Sequence, residues 1–122
     1  MQIINSRLKR VQIECLDFEK CISKYDTKNT LFYLDPPYVG VEYYYKTKEI
    51  SFGHDDHIRL SKLLRGLKGK FVLSYYDDKL VRELYSYFRI IKKHTKKSSC
   101  GVVRTRKEKT KPKAVELLIM NY

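Results

Sequence analysis

The sequence predicts an α/β fold, the C-terminal half of a mostly parallel sheet that ends in a β-hairpin. Three observations predict it. Apolar runs over residues 30–34 and 71–75, bounded by turn residues, have the length of buried strands. Apolar side chains at three- and four-residue spacing mark helices before, between and after those runs. Two more strand-like runs, beginning at Ile90 and Ala114, then close the chain, giving the alternation of an α/β domain followed by a hairpin.

The elements follow in order. Residues 3–10 suit the end of a helix, and residues 11–15 alternate apolar and polar side chains like a strand. Phe18, Cys21, Ile22 and Tyr25 share one helix face behind Asp17, which is a favourable N-cap. Residues 38–54 form a long tyrosine-rich loop. Asp55 or Asp56 then caps a helix carrying Ile58, Leu60, Leu63, Leu64 and Leu67, which Gly66 and Gly69 bring to a turn. After the 71–75 strand, Leu80, Val81, Leu84, Tyr85 and Phe88 mark another helix. No internal repeat or linker interrupts the series. At 122 residues the chain makes one domain at most, short of the roughly 250 expected of a two-domain enzyme.

Asp35-Pro36-Pro37-Tyr38 directly follows the 30–34 strand. Open α/β sheets bind their ligands outside the carboxyl ends of their strands, so the tetrapeptide sits where chemistry is expected. It combines an acid, two proline carbonyls and an aromatic ring. That set suits group transfer to a weakly nucleophilic amine on a flat ring, such as adenine N6, whose lone pair is delocalised into the ring. The Asp35 carboxylate and the Pro36 carbonyl can each accept a hydrogen bond from the amine and localise the lone pair, a form of electrostatic preorganisation. Both prolines fix φ and lack an N–H, and Pro36 biases Asp35 toward extended geometry. Tyr38 supplies a face for a base swung out of its stack. The plainer reading is a Pro-Pro turn with an incidental acid.

Charge is the other strong compositional feature. The 26 Lys and Arg outnumber 14 Asp and Glu, a formal +12 that calls for a polyanionic partner or a solvated surface. Much of it lies after residue 88, where Lys92, Lys93, Lys96 and Lys97 and then Arg104, Arg106, Lys107 and Lys109 flank a Ser-Ser-Cys-Gly turn. Such a basic flap would contact phosphates without sequence selectivity; a solvated loop is its plainer use. Tyr43 and Tyr44, with Tyr45, Lys46 and Lys48, serve equally to touch a flipped base and its phosphates or to pack over the sheet. His54-Asp55-Asp56-His57 stands before a helix, where capping is the expected use, and no metal site is assigned. Cys15, Cys21 and Cys100 have neither paired spacing nor even number, so reduced thiols are expected. No apolar run approaches a membrane span and no basic leader precedes one, which points to the cytoplasm.

Leu31-Phe32-Tyr33-Leu34-Asp35-Pro36-Pro37-Tyr38-Val39-Gly40 resembles the target-amine motif of the D12 class, or Dam-like, adenine-specific DNA N6-methyltransferases. Three further blocks resemble that family in order: Leu16-Asp17-Phe18; Ser74-Tyr75-Tyr76-Asp77 followed by Arg82-Glu83-Leu84-Tyr85; and the tail from Glu116 to Tyr122. The resemblance implies a Rossmann-like fold, S-adenosylmethionine as cofactor and double-stranded DNA as substrate. It places Asp35, Pro36, Pro37 and Tyr38 at the catalytic centre and Asp17, Phe18 and Asp35 beside the cofactor. The family's glycine-rich cofactor loop is missing, since the chain's five glycines form no such pair after a strand. Residues 1–122 therefore resemble the C-terminal part of a methyltransferase domain, expected to bind the cofactor poorly alone; a truncated reading frame, a split enzyme completed by an N-terminal methyltransferase polypeptide and a fragment of a longer enzyme all fit. Such enzymes commonly partner restriction endonucleases. The alternatives are a non-catalytic basic DNA-binding or specificity subunit, and a piece of an RNA guanine-N2 methyltransferase, which also uses this tetrapeptide.

Overall fold

The computed structural model describes residues 7–46, 51–96 and 113–122. Helix α1 (Phe18–Tyr25) leads into strand β1 (Leu31–Leu34). A short 3-10 turn (Glu42–Tyr45), helix α2 (His54–Arg65), strand β2 (Lys70–Tyr76), helix α3 (Lys79–Leu84), strand β3 (Arg89–Lys96) and strand β4 (Lys113–Met120) follow. The four strands form one mixed sheet in the order β1-β2-β4-β3. β1 and β2 pair in parallel, and β4 runs antiparallel to both β2 and β3. Three strands thus share a direction and β4 alone opposes them.

The strand registers sort the side chains onto two faces. Phe32 and Leu34 stand beside Phe71 and Leu73, Leu73 opposes Ile119, and Tyr75 opposes Leu117. These seven residues share a face with Ile90 and Val115, and one core joins them to Ile22 of α1, Leu60 and Leu64 of α2, Val81 of α3, and Tyr85. All three helices therefore cover the same side of the sheet. The other face carries Leu31, Tyr33, Val72, Ile91, Leu118 and Met120, none of which belongs to the core, and Leu31 and Tyr33 remain 60% and 70% exposed.

Local chemistry fixes the ends of the elements. Asp17 caps α1 by accepting the Glu19 N–H at 3.0 Å, as its position predicts. The α2 cap differs from the expectation. Gly53 occupies the N-cap, and Asp56 sits one turn inside and accepts the Gly53 N–H at 2.9 Å; Asp55 makes no cap. Asp26 accepts the N–H groups of Lys68 and Gly69, tying the loop before β1 to the turn before β2. At Gly69 a Cβ would lie 2.7 Å from the Thr30 carbonyl oxygen, so the two loops meet at a point only glycine allows.

Two other expectations are corrected. The strand expected over residues 11–15 does not form: its alternation needs a neighbouring strand, none of the four pairs with it, and Ile13 is 88% exposed. Helix α3 stops at Leu84 rather than continuing to Phe88. Tyr85 and Phe88 keep the helical spacing because the following turn still carries both rings against the core, Tyr85 beside Tyr75 and Phe88 beside Phe71. Of the helix end expected over 3–10, residues 7 and 8 are helical, and 1–6 lie outside the described residues. Among the described residues no helix is long and apolar enough to cross a membrane.

Candidate functional site

The parallel register that sets Leu34 beside Leu73 brings the next residue, Asp35, beside Ser74 of β2. The Ser74 hydroxyl donates to Asp35 Oδ1 at 2.7 Å and lies 3.4 Å from the Leu34 carbonyl. Ser74 is buried while Asp35 is exposed, so a solvated carboxylate is held from behind by one donor. Among the described residues no ion pair engages Asp35. An anionic acceptor oriented by a hydroxyl and open to solvent is what recognition of an amine requires.

Pro36, Pro37 and Tyr38 carry the chain from Asp35 into a turn closed by the Val41 N–H on the Tyr38 carbonyl, 3.0 Å away. Gly40 takes φ of 86° at its third position, the conformation that glycine adopts without strain. Tyr38 is half-buried, edge-on to Tyr76 at 4.4 Å between centroids and tilted against Tyr75 at 5.8 Å. Burial pushes its hydroxyl up to about 12, and the nearby Asp35 carboxylate acts in the same direction. The ring is thereby fixed from below as a neutral aromatic surface next to the carboxylate.

A second cluster forms around Asp17 and Phe18. The Arg59 guanidinium of α2 grips both Asp17 carboxylate oxygens, at 3.1 and 2.9 Å, and also reaches Glu19 and Asp56. The Arg59 guanidinium holds the Asp17 carboxyl below the usual carboxylate range. Arg59 also lies 4.2 Å from the centre of the Phe18 ring, a cation–π contact. Asp17 and Phe18, two of the three residues that the resemblance places beside the cofactor, are thus both covered by one arginine.

A row of rings connects the two clusters. Phe18 meets Phe52 at 5.8 Å, Phe52 meets His57 at 4.9 Å, His57 meets Tyr75 at 5.5 Å and Tyr75 meets Tyr38. The sequence does not single out Arg59 or Phe52, and it places His57 only in the run before a helix. His57 had a signal: with Leu60, Ser61 and Leu64 it occupies positions i, i+3, i+4 and i+7 of the buried α2 stripe. Arg59 had none, because its partner Asp17 is 42 residues away.

The nucleic-acid candidates fare unevenly. Tyr43 and Lys46 are exposed and line an open hollow of about 440 Å³ with Glu42, Phe52, Asp55 and Asp56. Its carboxylates oppose phosphate binding there, and Tyr43 and Phe52 are its aromatic contacts. The Tyr44 side chain and all of Arg104, Arg106, Lys107 and Lys109 lie outside the described residues. Among the described residues no group of His, Cys, Asp or Glu is arranged to hold a metal ion.

The sequence model of the D12 class N6 adenine-specific DNA methyltransferases matches residues 1–99. Both clusters lie inside that match, and β4 lies beyond it. No curated protein matches the chain.

Proposed function

Because the chain belongs to the D12 class of N6 adenine-specific DNA methyltransferases, we propose that it contributes the target-amine half of a site that methylates adenine N6 in DNA. The observation that carries this reading is the exposed Asp35 carboxylate held by Ser74 beside the Tyr38 ring. Asp35 and the Pro36 carbonyl accept the two amine hydrogens and draw the nitrogen lone pair out of the ring, while Tyr38 stacks on the everted base. No strong base is needed, since the nitrogen proton leaves after the new bond has made the nitrogen cationic.

The residues described do not by themselves fit S-adenosylmethionine, the family's methyl donor. Arg59 occupies both oxygens of Asp17 and lies over the Phe18 ring, and no glycine pair after a strand offers a cradle for the methionine part. That cradle would come from outside residues 1–122, for example from a complementary methyltransferase polypeptide. The sheet face that the other described residues leave uncovered supports this, because sheets with parallel pairing are ordinarily covered on both sides. A polypeptide that buried Leu31, Tyr33 and Ile91 would complete a Rossmann-like sandwich around the Asp35 end of β1. The basic segment around Arg104, Arg106, Lys107 and Lys109 would add phosphate contacts.

The test is methyl transfer from tritiated S-adenosylmethionine to duplex DNA and to RNA, with and without the polypeptide encoded immediately upstream. Label in N6-methyladenine of DNA, dependent on Asp35, is expected. Transfer to RNA guanine, or DNA binding by the complex with no transfer, would overturn the reading.

A further inference from the structure

The segment that follows Tyr38 is tied to the buried side of α2 by a chain of three hydrogen bonds. The Gly40 N–H donates to Glu42 Oε2 at 2.8 Å. Glu42 Oε1 lies 3.0 Å from His57 Nε2, and His57 Nδ1 lies 2.7 Å from the Tyr75 hydroxyl. His57 is 1% exposed and Tyr75 fully buried, yet both polar ends of the imidazole are matched. The Tyr75 ring in turn lies under Tyr38.

The chemistry of the partners fixes the roles. Burial works to raise the Glu42 carboxyl, but hydrogen bonds from its own backbone, His57 and Gly40 outweigh it, so the group stays an acceptor-only carboxylate. Nε2 must then carry a proton. Burial raises the Tyr75 phenol, which keeps its hydrogen and donates it to Nδ1. A ring tautomer protonated on Nε2 and free on Nδ1 matches both partners.

We propose that His57 is a positioning residue, which acts through Glu42 and Tyr75 to hold the Tyr38–Gly40 turn and so sets where the base-facing ring stands. Its functional meaning rests on the proposed adenine site, but the relay can be tested without DNA. The imidazole spans 15 residues of sequence to Glu42 and 18 to Tyr75, so one side chain pins a loop to a strand and a helix at once. Without it, a carboxylate and a phenol lose their shared partner, and the Glu42 carboxylate that accepts from Gly40 is no longer anchored to α2.

The experiment is long-range nitrogen–proton NMR of the ¹⁵N-labelled chain, with amide exchange at Gly40, on wild type, His57→Gln, His57→Phe and Glu42→Ala. Wild type should give one pyrrole-type nitrogen, Nε2, and one pyridine-type nitrogen, Nδ1. Gly40 exchange should accelerate about tenfold or more in Glu42→Ala and His57→Phe, the loss expected for a hydrogen bond to a charged group. His57→Gln, which keeps a donor toward Glu42, should restore most of the protection. The Glu42→Ala change lies on the surface loop and keeps the measurement available if His57→Phe fails to fold. A reversed tautomer, or Gly40 exchange unchanged in Glu42→Ala, would overturn the proposal whatever the chain does to DNA. Loss of adenine recognition in wild type with the relay intact would instead count against the proposed function alone.

Discussion

The Ser74 hydroxyl donates to Oδ1 of Asp35 at 2.7 Å, joining the strand that ends at the tetrapeptide to the strand beside it. One oxygen of the carboxylate is thereby given a fixed direction. Ser74→Ala leaves the charge in place but frees its rotation, and it should weaken recognition of an unpaired adenine by about tenfold, in the range of a charge-assisted hydrogen bond. Fluorescence anisotropy with a labelled DNA duplex carrying one unpaired adenine measures this. Stability should change little, because Asp35 is already solvated.

Asp17 caps α1 and pairs with Arg59, and the two contributions separate by substitution. Asp17→Ala should cost about 1 kcal/mol in urea unfolding, whereas Asp17→Asn, still a capping residue, should lose less than about 0.5 kcal/mol from a pair that is two-fifths exposed. The folded carboxyl lies below its ordinary range, so the contribution of the pair is complete above the unfolded value near about 4 and fades as acid protonates the folded group. The gap between wild type and Asp17→Asn should therefore close in acid and remain at neutral pH.

Burial raises the Tyr38 hydroxyl to about 12, so the fold favours the neutral phenol. Its stabilising share is complete below the ordinary value near about 10 and is lost as alkali carries the group through its folded value. Tyrosinate absorbance of wild type minus Tyr38→Phe should accordingly show no Tyr38 ionisation below about pH 11. A step near the ordinary value would place the ring in open solvent.

Gly69 and Gly53 offer a paired test of the packing. A methyl at Gly69 meets two backbone oxygens, at 2.7 and 2.9 Å, so Gly69→Ala should destabilise by more than about 2 kcal/mol. Gly53 has an extended backbone and open space around it, and Gly53→Ala should stay within about 1 kcal/mol. Urea unfolding of both variants checks the contrast.

Much of this arrangement was legible from short-range pattern. The spacing of Phe18, Cys21, Ile22 and Tyr25 placed α1, Asp17 placed its cap, and the apolar runs placed β1 and β2, because each signal is contained within one element. The same pattern misled at residues 11–15, where alternation describes a strand only if another strand lies beside it. Tyr85 and Phe88 extended the apparent helix since side-chain spacing does not register a backbone turn that still faces the core. At the site, Asp35 and Tyr38 stood out through their motif, whereas the pairing of Asp35 with Ser74 follows from the β1–β2 register, which the sequence does not specify. Arg59, Glu42 and His57 join residues 15 to 42 positions apart, and nothing local encodes those meetings.

The central claim is that Asp35 recognises the exocyclic amine of adenine, and it is tested most directly by one binding comparison. Duplexes carrying a single unpaired adenine, or purine lacking the 6-amino group at the same position, are titrated with wild type and Asp35→Ala. Wild type should prefer adenine by about tenfold and Asp35→Ala should bind both equally, with overall affinity retained. Equal binding by wild type, or a preference that survives removal of the carboxylate, would contradict the account.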